Sequence, residues 1–359
     1  MTAENTASIY PLKDGSQLHV RVLEPPLGEL ADQIEYWWRD VRAPLLAGEL
    51  AGTSIDRFVI GEVDGVYAGS MMYCMPRDTR DLALLEMVWT HPEYRRRGIA
   101  RILLRHALAD FRLMGGVAIS LCTTNPVAYA MYLQEGFVPL LGDGMRYVAP
   151  PHDPRRFDTE YFADHGPARI RPGTWGDTAR VSTLYNLPEP DWLIKDYPRR
   201  VFRDMRYESH YVRVWKPASE GHGLVLVLEN PLRRVVGIVS VVEVESFYEQ
   251  HVSTIDFWCC PAYWVQMPEL LAAAVQRAND QGAEIVQAYI ADCDLEKQHV
   301  LQATGFTESA RLRGRLRVRD LRHDLLIYDV QVSRGDHPIH PLEDYYGARQ
   351  PFQKIEDRR

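Results

Sequence analysis

Glu86-Met87-Val88-Trp89-Thr90-His91-Pro92-Glu93-Tyr94-Arg95-Arg96-Arg97-Gly98-Ile99-Ala100 passes from an apolar strand, through a short basic turn, into a stretch of helical periodicity. The strand begins near Leu82 and is ended by Pro92, which has no amide to donate to a ladder. Downstream, Ile99, Ile102, Leu103, Ala107, Leu108 and Phe111 recur at helical spacing until Gly115-Gly116 stops the helix. A strand, a basic turn with small residues at 98 and 100, and a helix N-terminus together make a cradle for an anion. The first helical amides have no internal partners, the helix dipole favours negative charge there, and arginines add charge-assisted hydrogen bonds. Taken bare, the same residues also describe a solvated basic turn at a helix start.

Outward from this segment the chain alternates strands and helices. Leu18 to Leu23 reads as a strand and Leu27 to Leu50 as one or two helices. Asp64-Gly65 between Phe58–Val63 and Val66–Tyr73 predicts a two-residue hairpin. Val117 to Leu121 is a strand, and Pro126 to Gln134 a helix with proline in its first turn and Gly136 after its end. Phe137 to Leu141 and Met145 to Val148 complete a mixed α/β sheet. Pro150-Pro151-His152-Asp153-Pro154 then breaks the pattern.

The second half repeats the plan. Strands are expected at Arg169–Arg171, Leu224–Leu228, Val235–Val244, Thr254–Cys259 and Glu284–Tyr289, with helices from Val181, over Leu270–Ala278 and over Leu295–Ala303. Pro92 and Pro261 differ by 261 − 92 = 169, and Gly136 and Gly305 by 305 − 136 = 169; Phe137 and Phe306 share the offset. An internal duplication is the expectation. The division is 1–149, a linker at 150–167, a second domain at 168–332 and a tail at 333–359.

Composition bounds the function. At 359 residues, roughly 100–200 per domain predicts two domains with cores of their own. With 46% hydrophobic residues the chain is not disordered, and no apolar run approaches the roughly 20 residues of a membrane helix. A net charge of −8 argues against sequence-independent nucleic-acid binding. The five cysteines give neither a disulfide framework nor a zinc spacing. The start shows no secretory pattern, so a cytoplasmic location without membrane association is expected.

The central segment resembles the acetyl-CoA signature of the GNAT superfamily of N-acyltransferases: Arg or Gln, two residues, Gly, one residue, then Gly or Ala. Arg95, Gly98 and Ala100 match it. A second family signature resembles Asn125 through Phe137, which starts 125 − 100 = 25 residues on. The resemblance implies tandem GNAT folds (α/β, α+β), each a mixed central sheet flanked by helices. It implies acetyl-CoA as acyl donor, with no metal, lodged between diverging strands at 86–90 and 117–121. The amides of Val88, Trp89 and Thr90 would hold the thioester and pantetheine. Arg95, Arg96, Arg97, Gly98, Ile99, Ala100 and Arg101 would surround the pyrophosphate, and Asn125 would touch the pantetheine arm.

By the same resemblance Tyr132, four residues before Gly136, stands at the general-acid position and Glu86 at the general-base position. Each also has a plain structural reading, Tyr132 as a core aromatic and Glu86 as a satisfied strand carboxylate. His91 is a rival base placed in an exposed turn, and Tyr129 a packing residue. Trp37, Trp38 and Tyr73 are candidates for the acceptor side or for packing. The second copy carries Trp264 to Glu269 in place of Arg95 to Ala100, Ile255 in place of Glu86 and Leu301 in place of Tyr132. It therefore reads as a GNAT-like fold without the cofactor site, a scaffold or a wall of the acceptor pocket. The two-lobe organisation is similar to that of mycothiol synthases, except that here the N-terminal lobe carries the motifs. The expected activity is acetyl transfer to a primary amine of a small molecule or peptide, by a chain able to form a homodimer. The alternative is a non-catalytic acetyl-CoA-binding regulatory or interaction protein.

Overall fold

A computed structural model describes residues 8–36, 38–208, 210–244, 246 and 248–332. It is a mixed α/β fold built on two large sheets. The first contains β1 (Ser8–Pro11), β2 (Gln17–Leu23), β3 (Ser54–Val63), β4 (Val66–Pro76), β5 (Leu82–Thr90), β6 (Ala118–Cys122), β7 (Val138–Pro139) and β8 (Gly144–Val148), ordered β1-β2-β3-β4-β5-β6-β8-β7. Only β5 and β6 pair in parallel. Asp64 and Gly65 both take positive φ, 51° and 79°, as a tight hairpin between Val63 and Val66 requires. Helices α1 (Arg39–Leu46), α2 (Ile99–Leu113) and α3 (Pro126–Gln134) flank this sheet.

Helix α4 (Phe157–Tyr161) comes next, within the stretch expected as a linker. It is a wedge rather than a loose connector, because Phe157, Tyr161 and Phe162 are buried. Arg146 grips Asp158 in a two-bond pair at 2.6 and 2.7 Å, and the Tyr161 hydroxyl donates to Asp81 at 2.6 Å.

The second sheet uses β9 (Arg169–Pro172), β12 (Leu224–Glu229), β13 (Val235–Glu243), β14 (Val252–Cys259), β15 (Ile285–Ala291), β16 (Thr307–Val318) and β17 (Leu321–Gln331), while β10 (Ile194–Asp196) and β11 (Val201–Phe202) form a separate hairpin. Its order, β9-β12-β13-β14-β15-β17-β16, retraces that of β2 to β8 in the first sheet, again with one parallel pair at the same place. Its helices are α5 (Thr178–Tyr185), α6 (Val212–Ser219), α7 (Met267–Asp280) and α8 (Leu295–Ala303). Helices α3 and α8 share the offset at both ends, 295 − 126 = 169 and 303 − 134 = 169. Two sheet bodies of matching order are consistent with a tandem arrangement.

The lobes share a core. Helix α5 packs on β4 and β5 of the first sheet and on β13 and β14 of the second, and all eight of its residues are buried. A buried Arg180 on such a helix demands partners. It pairs with Asp177 at 2.9 Å and, across the lobes, with Asp78, which Arg233 also reaches at 2.9 Å. Trp38 meets Trp175 edge-on at 5.6 Å in the same seam.

Two substitutions probe this seam. A Cβ on Gly176 would stand 2.2 Å from the Thr53 carbonyl oxygen, a backbone atom of the other lobe. Gly176→Ala is expected to cost about 2 kcal/mol or more, read as a lower urea midpoint; an unchanged midpoint would contradict the close packing. Asp56 lies buried on β3, and burial pushes its pKa up to about 7, against the Ser54 hydroxyl, which donates to it at 3.1 Å and lowers it. The unfolded chain releases this proton near pH 4 but the folded chain holds it to about pH 7. The penalty is therefore absent below about pH 4 and complete above about pH 7, roughly 4 kcal/mol in all. Stability of Asp56→Asn relative to the parent should rise across that window, and a pH-independent difference would refute the assignment.

Candidate active site

Strands β5 and β6 pair only from Leu82 with Ala118 to Leu84 with Ser120, although β5 continues to Thr90. Beyond Leu84 the described residues of β5 and β6 no longer pair with each other. The divergence has a local cause. Opposite β4, the register steps from Ser70↔Trp89 to Met72↔Glu86, so Met87 and Val88 share one opposing residue. Met87 takes φ +55°, rare for a residue with a long side chain. This is a β-bulge, which twists the strand and re-aims the residues beyond it. Glu86 is the last residue before it. Strand β14 has no such step, its register against β13 running unbroken from Gly237↔Cys259 to Glu243↔Ser253.

The turn after β5 is built for an anion. Arg96 and Gly98 take positive φ, 66° and 94°, and α2 starts at Ile99 with no side chain capping it. Its first intrahelical bond is Ile102 N–H to the Gly98 carbonyl at 3.2 Å, so the amides of Ile99, Ala100 and Arg101 have no helical acceptor. The arginines are not equivalent. Arg95 donates to the Thr90 carbonyl at 3.1 Å, and Arg97 pairs with Asp14 at 2.6 Å while covering the Tyr94 ring. Arg101 ties α2 to Gln134 and Glu135 at the end of α3. Arg96 is exposed.

Glu86 and Tyr132 come together at the gap. Glu86 is 8% exposed and Tyr132 is 3% exposed. The Tyr132 hydroxyl is pushed well above the usual tyrosine range, by burial first and then by the charges of Glu86, Cys122 and Glu208. Tyr132 therefore holds its proton beyond the ordinary tyrosine range.

Two residues at this site come from the second lobe and have no motif to announce them. Arg206 and Glu208 are buried, paired at 2.6 Å, and lie in the segment that runs over Gly142 and Gly144 of the first lobe. Burial first, then Glu208, pushes the Cys122 thiol up, although part of Cys122 remains exposed.

The remaining candidates make structural contacts. Trp38 and Tyr73, considered for the acceptor side, pack in cores: Trp38 against Trp175, and Tyr73 against Phe111 with its hydroxyl donating to Asp110 at 2.5 Å. Trp37 lies outside the described residues, as do the tail residues from 333 on. His91 accepts from the Glu93 amide at 3.4 Å, capping the turn, and Asn125 accepts from the Val127 amide at 2.9 Å, capping α3. Tyr129 is half-buried against the core on the α2 face. Asp292, Cys293 and His323 group their ligand atoms within 4.8 Å on the second lobe, where His323 already bonds Asp292 at 3.0 Å. Among the described residues no helix is long and apolar enough to cross a membrane.

In the second lobe the chain fills the equivalent gap itself. Strands β14 and β15 pair in parallel only from Val252 to Ile255, and β10 packs beside both. The Leu193 and Ile194 amides donate to Asp294 at 2.6 and 3.1 Å. Lys297 donates to the Ile194 carbonyl and pairs with Asp256, both at 2.9 Å.

The sequence profile described as "Acetyltransferase (GNAT) family" matches residues 18–137. Among solved structures, yncA of Salmonella typhimurium with its cofactor acetyl-CoA is 19% identical, covering 48% of this chain and 99% of its own, with a TM-score of 0.41. A GNAT superfamily phosphinothricin acetyltransferase from Sinorhizobium meliloti, in complex with AcCoA, is 12% identical over 48% of this chain and 91% of its own, TM-score 0.42. Spermidine N-acetyltransferase of Vibrio cholerae, with CoA and spermine, is 13% identical over 46% and 95%, TM-score 0.38. A comparison with curated protein sequences returns no match.

Proposed function

We propose, residues 18–137 being a GNAT-family acetyltransferase domain, that the chain moves an acetyl group from acetyl-CoA to a primary amine by direct attack. The observation that carries this reading is a buried Tyr132 within electrostatic reach of Glu86, the residue just before the bulge where β5 has parted from β6. The uncapped amides of Ile99 to Arg101, with Arg96, would hold the donor's phosphates. The Val88–Thr90 edge would receive the thioester oxygen as negative charge develops on it. Glu86 takes one proton from the ammonium, the nitrogen–carbonyl bond forms, and as the carbon–sulfur bond breaks Tyr132 protonates the departing thiolate while the nitrogen's second surplus proton leaves through solvent to restore the phenol. No covalent enzyme intermediate is needed.

The first lobe would carry all of this chemistry. Support comes from the second lobe's unbroken β14 register and from the β10 segment lodged beside β14 and β15. The test is thiol release by the purified chain from acetyl-CoA and longer thioesters against an amine library. Amine-dependent release supports acetyl transfer. Donor binding with no release for any amine supports a non-catalytic acetyl-CoA-binding protein instead.

A further inference from the structure

The second lobe places an ion pair beside the first lobe's reacting groups. The 204–208 segment rides close over the β7–β8 turn: a Cβ on Gly142 would stand 3.0 Å from the Asp204 carbonyl oxygen, and one on Gly144 3.0 Å from Arg206 Nη1. Glycine at both positions lets the segment seat there. Arg206 Nη2 donates to Glu208 Oε1 at 2.6 Å, and both residues are more than nine-tenths buried. Among the described residues, Arg206 Nε and Nη1 and Glu208 Oε2 are buried and make no hydrogen bond. The Cys122 thiol, a weak donor, also lies within bonding reach of the Glu208 carboxylate.

Unmet buried polar atoms cost roughly 1–3 kcal/mol each, more when charged. An apolar pair would fill the same seam without that cost. A structural role thus explains the pair poorly, whereas recognition of a ligand uses unmet atoms on both residues. One unmet donor on Arg206 matches a carboxylate oxygen, and one acceptor on Glu208 matches an ammonium.

We propose that the second lobe completes the acceptor site of the first, with Arg206 and Glu208 selecting an acceptor whose amine neighbours a carboxylate, a free α-amino acid. The inference rests on the acetyl-transfer reading above. The acceptor's carboxylate sits on Arg206, its ammonium reaches Glu208 and Glu86, and its nitrogen is thereby aimed at the thioester between β5 and β6.

The experiment compares thiol release from acetyl-CoA with α-amino acids, their amides and the amines that lack the carboxylate. The parent protein should favour a free amino acid at least tenfold in kcat/KM over its amide. Arg206→Gln should erase that preference and Arg206→Lys restore part of it. Glu208→Gln should raise the acceptor KM about tenfold with a smaller change in kcat. Acetyl-CoA affinity by calorimetry, unchanged in all three, verifies folding. Equal rates with amides or simple amines, or variants that keep the parent preference, overturn the proposal while leaving acetyl transfer intact. Should no amine release thiol, the acetyl-transfer reading falls. Calorimetry of amino acids into CoA-saturated protein then decides the pair: tenfold weaker binding in Arg206→Gln and Glu208→Gln upholds it, and no binding to the parent protein overturns it.

Discussion

Tyr132→Phe is expected to lower kcat about 100-fold or more, the range a positioned general acid supplies, with acetyl-CoA affinity nearly unchanged. The substitution removes one oxygen from a ring packed against Phe137 at 5.3 Å, so the core loses almost no volume. The loss that matters is the proton for the leaving sulfur. The defect should depend on the leaving group. A thiol with pKa near 8.5 needs that proton as the carbon–sulfur bond breaks, whereas a more acidic thiol leaves as a thiolate unaided. Thioesters of acidic thiols should therefore narrow the gap between Tyr132→Phe and the parent, and a defect constant across leaving groups would assign Tyr132 to packing. Burial and the neighbouring charges hold the phenol above its ordinary pKa, so its ionisation should not limit kcat on the alkaline side up to about pH 10.

Glu86→Gln is expected to cost about 100-fold in kcat/KM at neutral pH, and the loss should shrink as pH rises. An alkyl amine of pKa about 10 is roughly one part in a thousand free base at pH 7. Without the carboxylate the enzyme must wait for that fraction, which grows tenfold per pH unit until the amine's own pKa. The variant's log rate should climb with unit slope over this range while the parent's climbs less. Parallel profiles would mean that Glu86 holds the strand and takes no proton. Gln keeps the size and hydrogen-bonding reach of a side chain that is 8% exposed, which limits structural damage.

Much of the first lobe was legible because its signals are local. Asp64-Gly65 fixed a hairpin, Pro126 and Gly136 bracketed α3, and the run from Arg95 to Ala100 marked a helix start without a cap. The shared offset anticipated a second sheet of the same order. The bulge was not legible, since Met87 is an ordinary apolar strand residue whose positive φ is imposed by pairing with β4. Nor was the wedge at Phe157–Tyr161, which follows the prolines at 150, 151 and 154 and reads as part of a connector until Arg146 and Asp81 claim its polar groups. Trp38 and Tyr73 both find rings to pack on, the alternative that their sequence context left open.

Arg206 and Glu208 show the deepest limit. Two charged residues separated by one position describe a solvated edge in any local reading. Their burial depends on Gly142 and Gly144, more than 60 residues upstream and in the other lobe, since 206 − 144 = 62. Information of that kind exists only once both lobes are docked. The same docking explains why α5 tolerates a buried arginine.

The division of labour between the lobes is tested most directly by calorimetric titration of acetyl-CoA into the parent protein and Gly98→Val. A β-branched residue at φ +94° would disrupt the cradle at the start of α2. One acetyl-CoA per chain is expected, bound at least tenfold more weakly by the variant. Two per chain, none, or undiminished binding to Gly98→Val would contradict a cofactor site confined to the first lobe.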